Sequence, residues 1–67
     1  MYTLTSNLNN GKTWTERVTE DDFLETVCQY INWYYKSSIK SFTVNGATLS
    51  DDVMQELQDE YFESVAA

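Results

Sequence analysis

Residues 39–54 read Ile39-Lys40-Ser41-Phe42-Thr43-Val44-Asn45-Gly46-Ala47-Thr48-Leu49-Ser50-Asp51-Asp52-Val53-Met54, and how they fold decides the architecture of the chain. Ile39 to Val44 reads as a strand. Asn-Gly is the strongest short hairpin signal, because a type I′ turn needs positive φ at both central residues. A two-residue loop at Asn45-Gly46 sets Val44 opposite Ala47, Thr43 opposite Thr48 and Phe42 opposite Leu49. All four apolar residues then share one face. The stretch therefore predicts a hairpin with Ala47 to Leu49 as the return strand. Ser50 follows as an N-cap, Asp51 and Asp52 fill a first helical turn, and Leu49 with Met54 forms a hydrophobic staple.

The preceding half has the same plan. Tyr2, Leu4, Ser6 and Leu8 alternate with Thr3, Thr5 and Asn7, and Trp14, Glu16 and Val18 alternate with Thr13, Thr15 and Arg17. Both runs suit strands. A two-residue Asn10-Gly11 loop would put Trp14 and Val18 on the face opposite the leucines. A three-residue loop, Asn9 to Gly11, pairs Tyr2 with Val18, puts Leu4, Leu8 and Trp14 together, and leaves Gly11 at the left-handed position. The three-residue loop is the better reading.

A helix from about Glu20 to Lys36 follows. Thr19 and Asp22 resemble a capping box, Val18 and Phe23 a staple, and Glu20, Asp21 and Asp22 meet the positive end of the helix dipole. Its apolar stripe is Phe23, Leu24, Val27, Cys28, Ile31, Tyr34 and Tyr35. Ser37-Ser38 breaks the pattern. The second helix runs to about Ser64 on a stripe of Val53, Met54, Leu57, Tyr61 and Val65, with Ala66 and Ala67 fraying. Asp22-Phe23-Leu24 parallels Asp52-Val53-Met54, a likeness that shared caps and stripes suffice to produce. The expected fold is α+β in the order ββαββα, a four-stranded mainly antiparallel sheet with both helices packed on one face, as one domain over residues 1–67.

Composition bounds the function. Eleven acidic residues face four basic ones, a formal charge of −7 on 67 residues. That balance disfavours direct nucleic-acid binding, where lysine and arginine must neutralise phosphates, and disfavours an anionic membrane surface. It suits solubility and attraction to a basic protein partner. A single cysteine, no apolar run near the ~20 residues of a membrane span, and no signal-peptide pattern lead to an expected intracellular, cytoplasmic setting.

The raw material of catalysis is sparse. With no histidine, the commonest general base, the commonest metal ligand and every Ser-His or Cys-His pair are missing. Cys28 lies in an apolar stripe, Gly11 and Gly46 lie in turns, and Asp51-Asp52 lacks the spacing of a calcium loop. Neither an enzyme, nor a cofactor, nor a metal site is expected.

Two surfaces remain. The second helix carries six acids and no base, and Asp52, Glu56, Asp59, Glu60 and Glu63 gather on one flank. Acids four residues apart stand about 6 Å apart along a helix axis, comparable with phosphates along a DNA strand. Their mutual repulsion, and the acids at the negative end of the dipole, carry a small cost. The flank reads either as a solvated face or as a mimic of nucleic acid. The second surface is aromatic: Trp33 and Tyr30 edge the first helix stripe, and Phe62 lies off the second. These rings either complete a small core or anchor an interface, a homodimer included. In size, charge and lack of catalytic residues the chain resembles the short acidic proteins by which phages and mobile elements block host defence enzymes, such as anti-CRISPR and anti-restriction proteins. That resemblance implies an inhibitor working in the host cytoplasm, and it assigns no residue a role.

Overall fold

The computed structural model describes residues 1–66. Its elements are strands β1 (Tyr2–Asn7) and β2 (Thr13–Val18), helix α1 (Glu20–Tyr35), strand β3 (Ser41–Val44) and helix α2 (Asp51–Ala66). The sheet is antiparallel in the order β2-β1-β3. The class is thus α+β, but the order is ββαβα, and the expected four-stranded sheet has three strands.

The first hairpin forms in the expected register. Tyr2 pairs with Val18 and Ser6 with Trp14. Leu8 and Lys12 close the three-residue loop (Leu8 N–H donates to Lys12 C=O at 2.8 Å), and Gly11 has φ +84°. The alternation of the strands puts Leu4, Ser6, Phe42 and Val44 on the helix side. Thr3, Thr5, Thr13, Thr15, Thr43 and Arg17 fall on the other, where these strands place no apolar residue.

The second turn also forms, with φ +52° at Asn45 and +84° at Gly46. Its return strand does not. Val44 and Ala47 exchange two 2.9 Å hydrogen bonds, and the pairing stops at that single bridge. The reason is burial. Ala47 and Thr48 are exposed, so extending the pairing would gain little, whereas Leu49 is half-buried against the core and Ser50 must start α2. The Ser50 hydroxyl accepts the Val53 N–H at 3.3 Å, as an N-cap should. On its other edge β3 pairs with β1. Asn45 extends that ladder, its N–H donating to Thr3 C=O (2.8 Å) and its Oδ1 accepting the Thr3 N–H (2.9 Å).

The helices are not both laid on the sheet. α1 packs on all three strands, and α2 packs on α1. Met54, in the first turn of α2, still reaches the shared core of Leu4, Val27, Tyr30, Ile31, Phe42 and Val44. Leu4, Val27 and Ile31 are wholly buried, worth about 1.5–3 kcal/mol each.

The helix ends differ in one detail from the sequence reading. Thr19 makes no side-chain bond to the α1 backbone; its hydroxyl donates to the Asp22 carboxylate at 3.4 Å. Aspartate, one methylene shorter than the glutamate of a full capping box, does not complete the reciprocal bond. Phe23 stacks on Tyr2, ring centres 3.9 Å apart. At the other end Ser38 N–H bonds Trp33 C=O (2.8 Å) and Ser37 N–H bonds Tyr34 C=O (3.1 Å). This is a Schellman motif with Ser37, at φ +61°, in the position glycine usually takes. The helix α2 runs through Ala66, and the expected fraying of Ala67 lies outside the described residues.

Candidate functional site

The acidic flank is present on α2. Asp52, Glu56, Asp59, Glu60 and Glu63 are all exposed. Four of them, Glu56, Asp59, Glu60 and Glu63, line one shallow concavity of about 450 Å³ together with Val53 and Leu57. Asp52 stands outside it, one turn earlier. The last turn of α2 holds no basic residue, so the helix presents carboxylates over a partly apolar floor. That floor matters, because lysine and arginine carry apolar stems behind their charged heads and bury them on such surfaces.

Glu60 reaches inward electrostatically. Cys28 is buried in the core and donates from Sγ to Leu57 C=O at 3.5 Å. Burial, and then the negative charge of Glu60, push its thiol above the ordinary value. Both effects disfavour the thiolate, the form that reacts.

The aromatic pair divides. Tyr30 is 1% exposed, so it is a core residue and leaves the candidate partner surface. Its ring lies edge-on to Phe42 (5.9 Å) and tilted against Trp33 (5.3 Å), and its hydroxyl donates to Glu16 Oε1 at 2.6 Å. A hydroxyl that must be buried takes a partner, and β2 supplies one. A side chain placed by helical spacing at the edge of a stripe is therefore a tie between α1 and β2.

Trp33 stays on the surface at 42% exposure, and Trp14 joins it at 60%. The two tryptophans line one groove of about 360 Å³ with Leu8, Ile39, Ser6 and Ser38. Sequence reasoning misses Trp14 as a surface residue, because alternation gives it the same face as Leu4. In the structure Trp14 lies near the loop end of β2 and is exposed, whereas Val18 at the other end of the same strand is half-buried. No sequence signal distinguishes an edge strand from a central one here.

Lys12 closes the β1–β2 loop against Leu8, Lys40 follows Ile39, and Lys36 caps α1 three residues after Trp33. Lys12 and Lys40 also line a neighbouring cleft that shares Leu8 with the tryptophan groove. Among the described residues no basic side chain lines the tryptophan groove itself, and six of the eleven acids lie on α2. The residues singled out from the sequence do not form one site: the acids and Trp33 belong to two separate surfaces, each lined by its own residues.

Among the described residues, no three histidine, cysteine, aspartate or glutamate side chains converge to hold a metal ion, and no helix is long and apolar enough to cross a membrane. No family model, curated protein or solved structure matches the chain.

Proposed function

We propose that this chain is a small acidic binding protein, not an enzyme, that docks on a basic, nucleic-acid-handling protein through α2 and blocks it as a nucleic-acid mimic, in the manner of phage or mobile-element inhibitors of the anti-CRISPR or anti-restriction type. The observation that carries the reading is the concavity on α2, where Glu56, Asp59, Glu60 and Glu63 surround Val53 and Leu57. Carboxylates at this density repel one another and cost helix stability. A groove lined with lysine and arginine relieves that repulsion and releases counterions, so binding would weaken steeply with salt.

The test is charge reversal of Glu56 and Glu60 to lysine, both exposed and outside the core cluster. The wild-type chain, immobilised, should retain a basic protein from its host that a salt gradient elutes, and the double variant should not, with an unchanged circular dichroism spectrum. Equal retention by the folded variant would sink the reading.

A second reading has its own observation, the paired exposure of Trp14 and Trp33 on one apolar groove. Here the chain is an assembly module that self-associates or docks through the patch around Trp33. Aromatic anchors of this kind dominate interface energetics. Such binding resists salt and collapses on Trp33→Ala.

A further inference from the structure

The helices α1 and α2 hold a further cleft between them. Glu25, Gln29 and Asn32 stand at i, i+4 and i+7 of α1, and Gln58, Tyr61 and Phe62 at i, i+3 and i+4 of α2. Each set forms one stripe of its helix. The packing of α2 on α1 brings the two stripes to one cleft of about 310 Å³, which the buried Cys28 also lines. Its size is at the lower end of the range for small-ligand sites. Among the described residues it shares no lining side chain with the acidic concavity of α2 or with the tryptophan groove.

The lining has a definite chemistry. Its one charged group is the carboxylate of Glu25, and among the described residues no base lines it. Three carboxamides, those of Gln29, Asn32 and Gln58, add acceptor oxygens. Tyr61 and Phe62 add two aromatic rings, centres 6.4 Å apart and tilted by 50°. Among the described residues, no hydrogen bond from elsewhere in the chain engages the four polar side chains. A second carboxylate acts on the lining from outside, since burial and then the charge of Glu60 raise the Cys28 thiol above its ordinary value.

This set selects among ligands. An anion is repelled by Glu25. A neutral group leaves the carboxylate without a counter-charge as the cleft fills. An ammonium brings charge, but it is a compact, strongly hydrated point with three donors. A guanidinium brings charge, five donors in one plane for the carboxylate and the amide oxygens, and a flat face that stacks on aromatic rings.

We infer that the cleft between α1 and α2 is a guanidinium site, filled by an exposed arginine of the basic partner, with its charge toward Glu25 and its plane against Tyr61 and Phe62. The inference rests on the α2-docking reading for the source of the arginine. It adds a second point of recognition to that reading. The acidic concavity attracts any basic surface, whereas the cleft prefers arginine to lysine at one position.

The probe is arginine blocked at both ends, N-acetyl-arginine amide, titrated into the isotope-labelled chain and followed by heteronuclear NMR. The blocked lysine and citrulline counterparts are controls, one keeping the charge and the other the shape. Arginine should shift, saturably, the side-chain amides of Gln29, Asn32 and Gln58 and the rings of Tyr61 and Phe62. It should bind at least about 3-fold more tightly than lysine, and citrulline should not saturate. Glu25→Gln and Phe62→Ala should each weaken arginine binding by roughly 2- to 5-fold. Both positions are exposed; circular dichroism checks the fold, and Gln29→Ala replaces either variant if it unfolds. Absence of shifts at these groups overturns the inference. So does equal binding of lysine or citrulline, which would mean charge attraction alone or no role for charge. Glu25→Gln should also lower retention of the host protein, and unchanged retention overturns the assignment of the arginine to that partner. If arginine binds the cleft while the Glu56 and Glu60 double variant still retains the host protein, the guanidinium site stands and the α2 reading falls. If the cleft binds nothing while that double variant loses retention, the α2 reading stands and the guanidinium site falls.

Discussion

Replacing Tyr30 by phenylalanine removes one oxygen and tests how α1 is tied to the sheet. The ring should stay where it is, packed against Phe42 and Trp33, so no cavity forms. What is lost is the 2.6 Å hydrogen bond to Glu16 Oε1. Short O–H···O⁻ bonds are among the stronger ones, and a hydrogen bond to a charged group contributes about 1.5–3 kcal/mol. Glu16 is only half-buried, so water can solvate the carboxylate left behind, which places the cost at the lower end of that range, about 1.5 kcal/mol. For a domain of this size that lowers the thermal midpoint by roughly 6–12 °C.

The same substitution has a pH signature. Burial first, and then the hydrogen bond to Glu16 and its charge, raise the Tyr30 pKa well above its ordinary value. A raised folded value means the stabilisation is fully present below the ordinary tyrosine pKa of about 10 and is lost as the pH climbs from there toward the folded value. Wild-type stability should therefore fall above about pH 10. The Tyr30→Phe variant, with nothing to ionise at that position, should fall less steeply, since the other tyrosines are common to both chains. Thermal melts by circular dichroism from neutral to alkaline pH read both effects, and a double-mutant cycle with Glu16→Gln isolates the pair. Unchanged midpoints at neutral pH together with superimposable alkaline limbs would refute the assigned tie. Because Tyr30 is buried, the variant should also bind any partner as the wild type does.

Other expected outcomes follow from individual residues. Ser37→Gly should raise stability by about 0.5–1 kcal/mol in denaturant titration, because glycine takes the left-handed conformation of the α1 Schellman motif without the side-chain penalty. Asn45→Ala should cost about 1–2 kcal/mol by the same measurement, since it removes the acceptor for Thr3 N–H and puts alanine at φ +52°. Leu4→Ala, at a wholly buried position on the central strand, should cost about 2–5 kcal/mol. In so small a domain that is most of the stability, and far-ultraviolet circular dichroism should report a substantially unfolded chain at about 37 °C.

The sequence was most legible where local chemistry and parity agree. Asn9-Asn10-Gly11 set the β1–β2 register because only a three-residue loop keeps Leu4, Leu8 and Val18 on one face. Ser50 announced the start of α2, and Asn45-Gly46 announced its turn. The fourth strand failed for a reason that parity cannot express. A turn fixes which residues face each other, but pairing continues only while it gains burial, and Ala47 and Thr48 gained none. Leu49 found its packing partners in the core instead.

In the candidate site, the acidic flank was readable from residue spacing with no knowledge of the fold. Asp52, Glu56, Asp59, Glu60 and Glu63 gather together whatever α2 packs against, because i, i+3 and i+4 neighbours are fixed by the helix itself. The fate of the aromatics was settled by packing. Tyr30 and Trp33 sit three residues apart on one helix, yet one is enclosed against Phe42 and Glu16 while the other borders a groove with Trp14. Exposure depends on where the neighbouring element ends. The packing of α1 on the sheet leaves Trp14 exposed and lines one groove with Trp14 and Trp33, 19 positions apart in the chain. Residues that distant meet only through the packing of a helix on a sheet, and no local pattern carries that information.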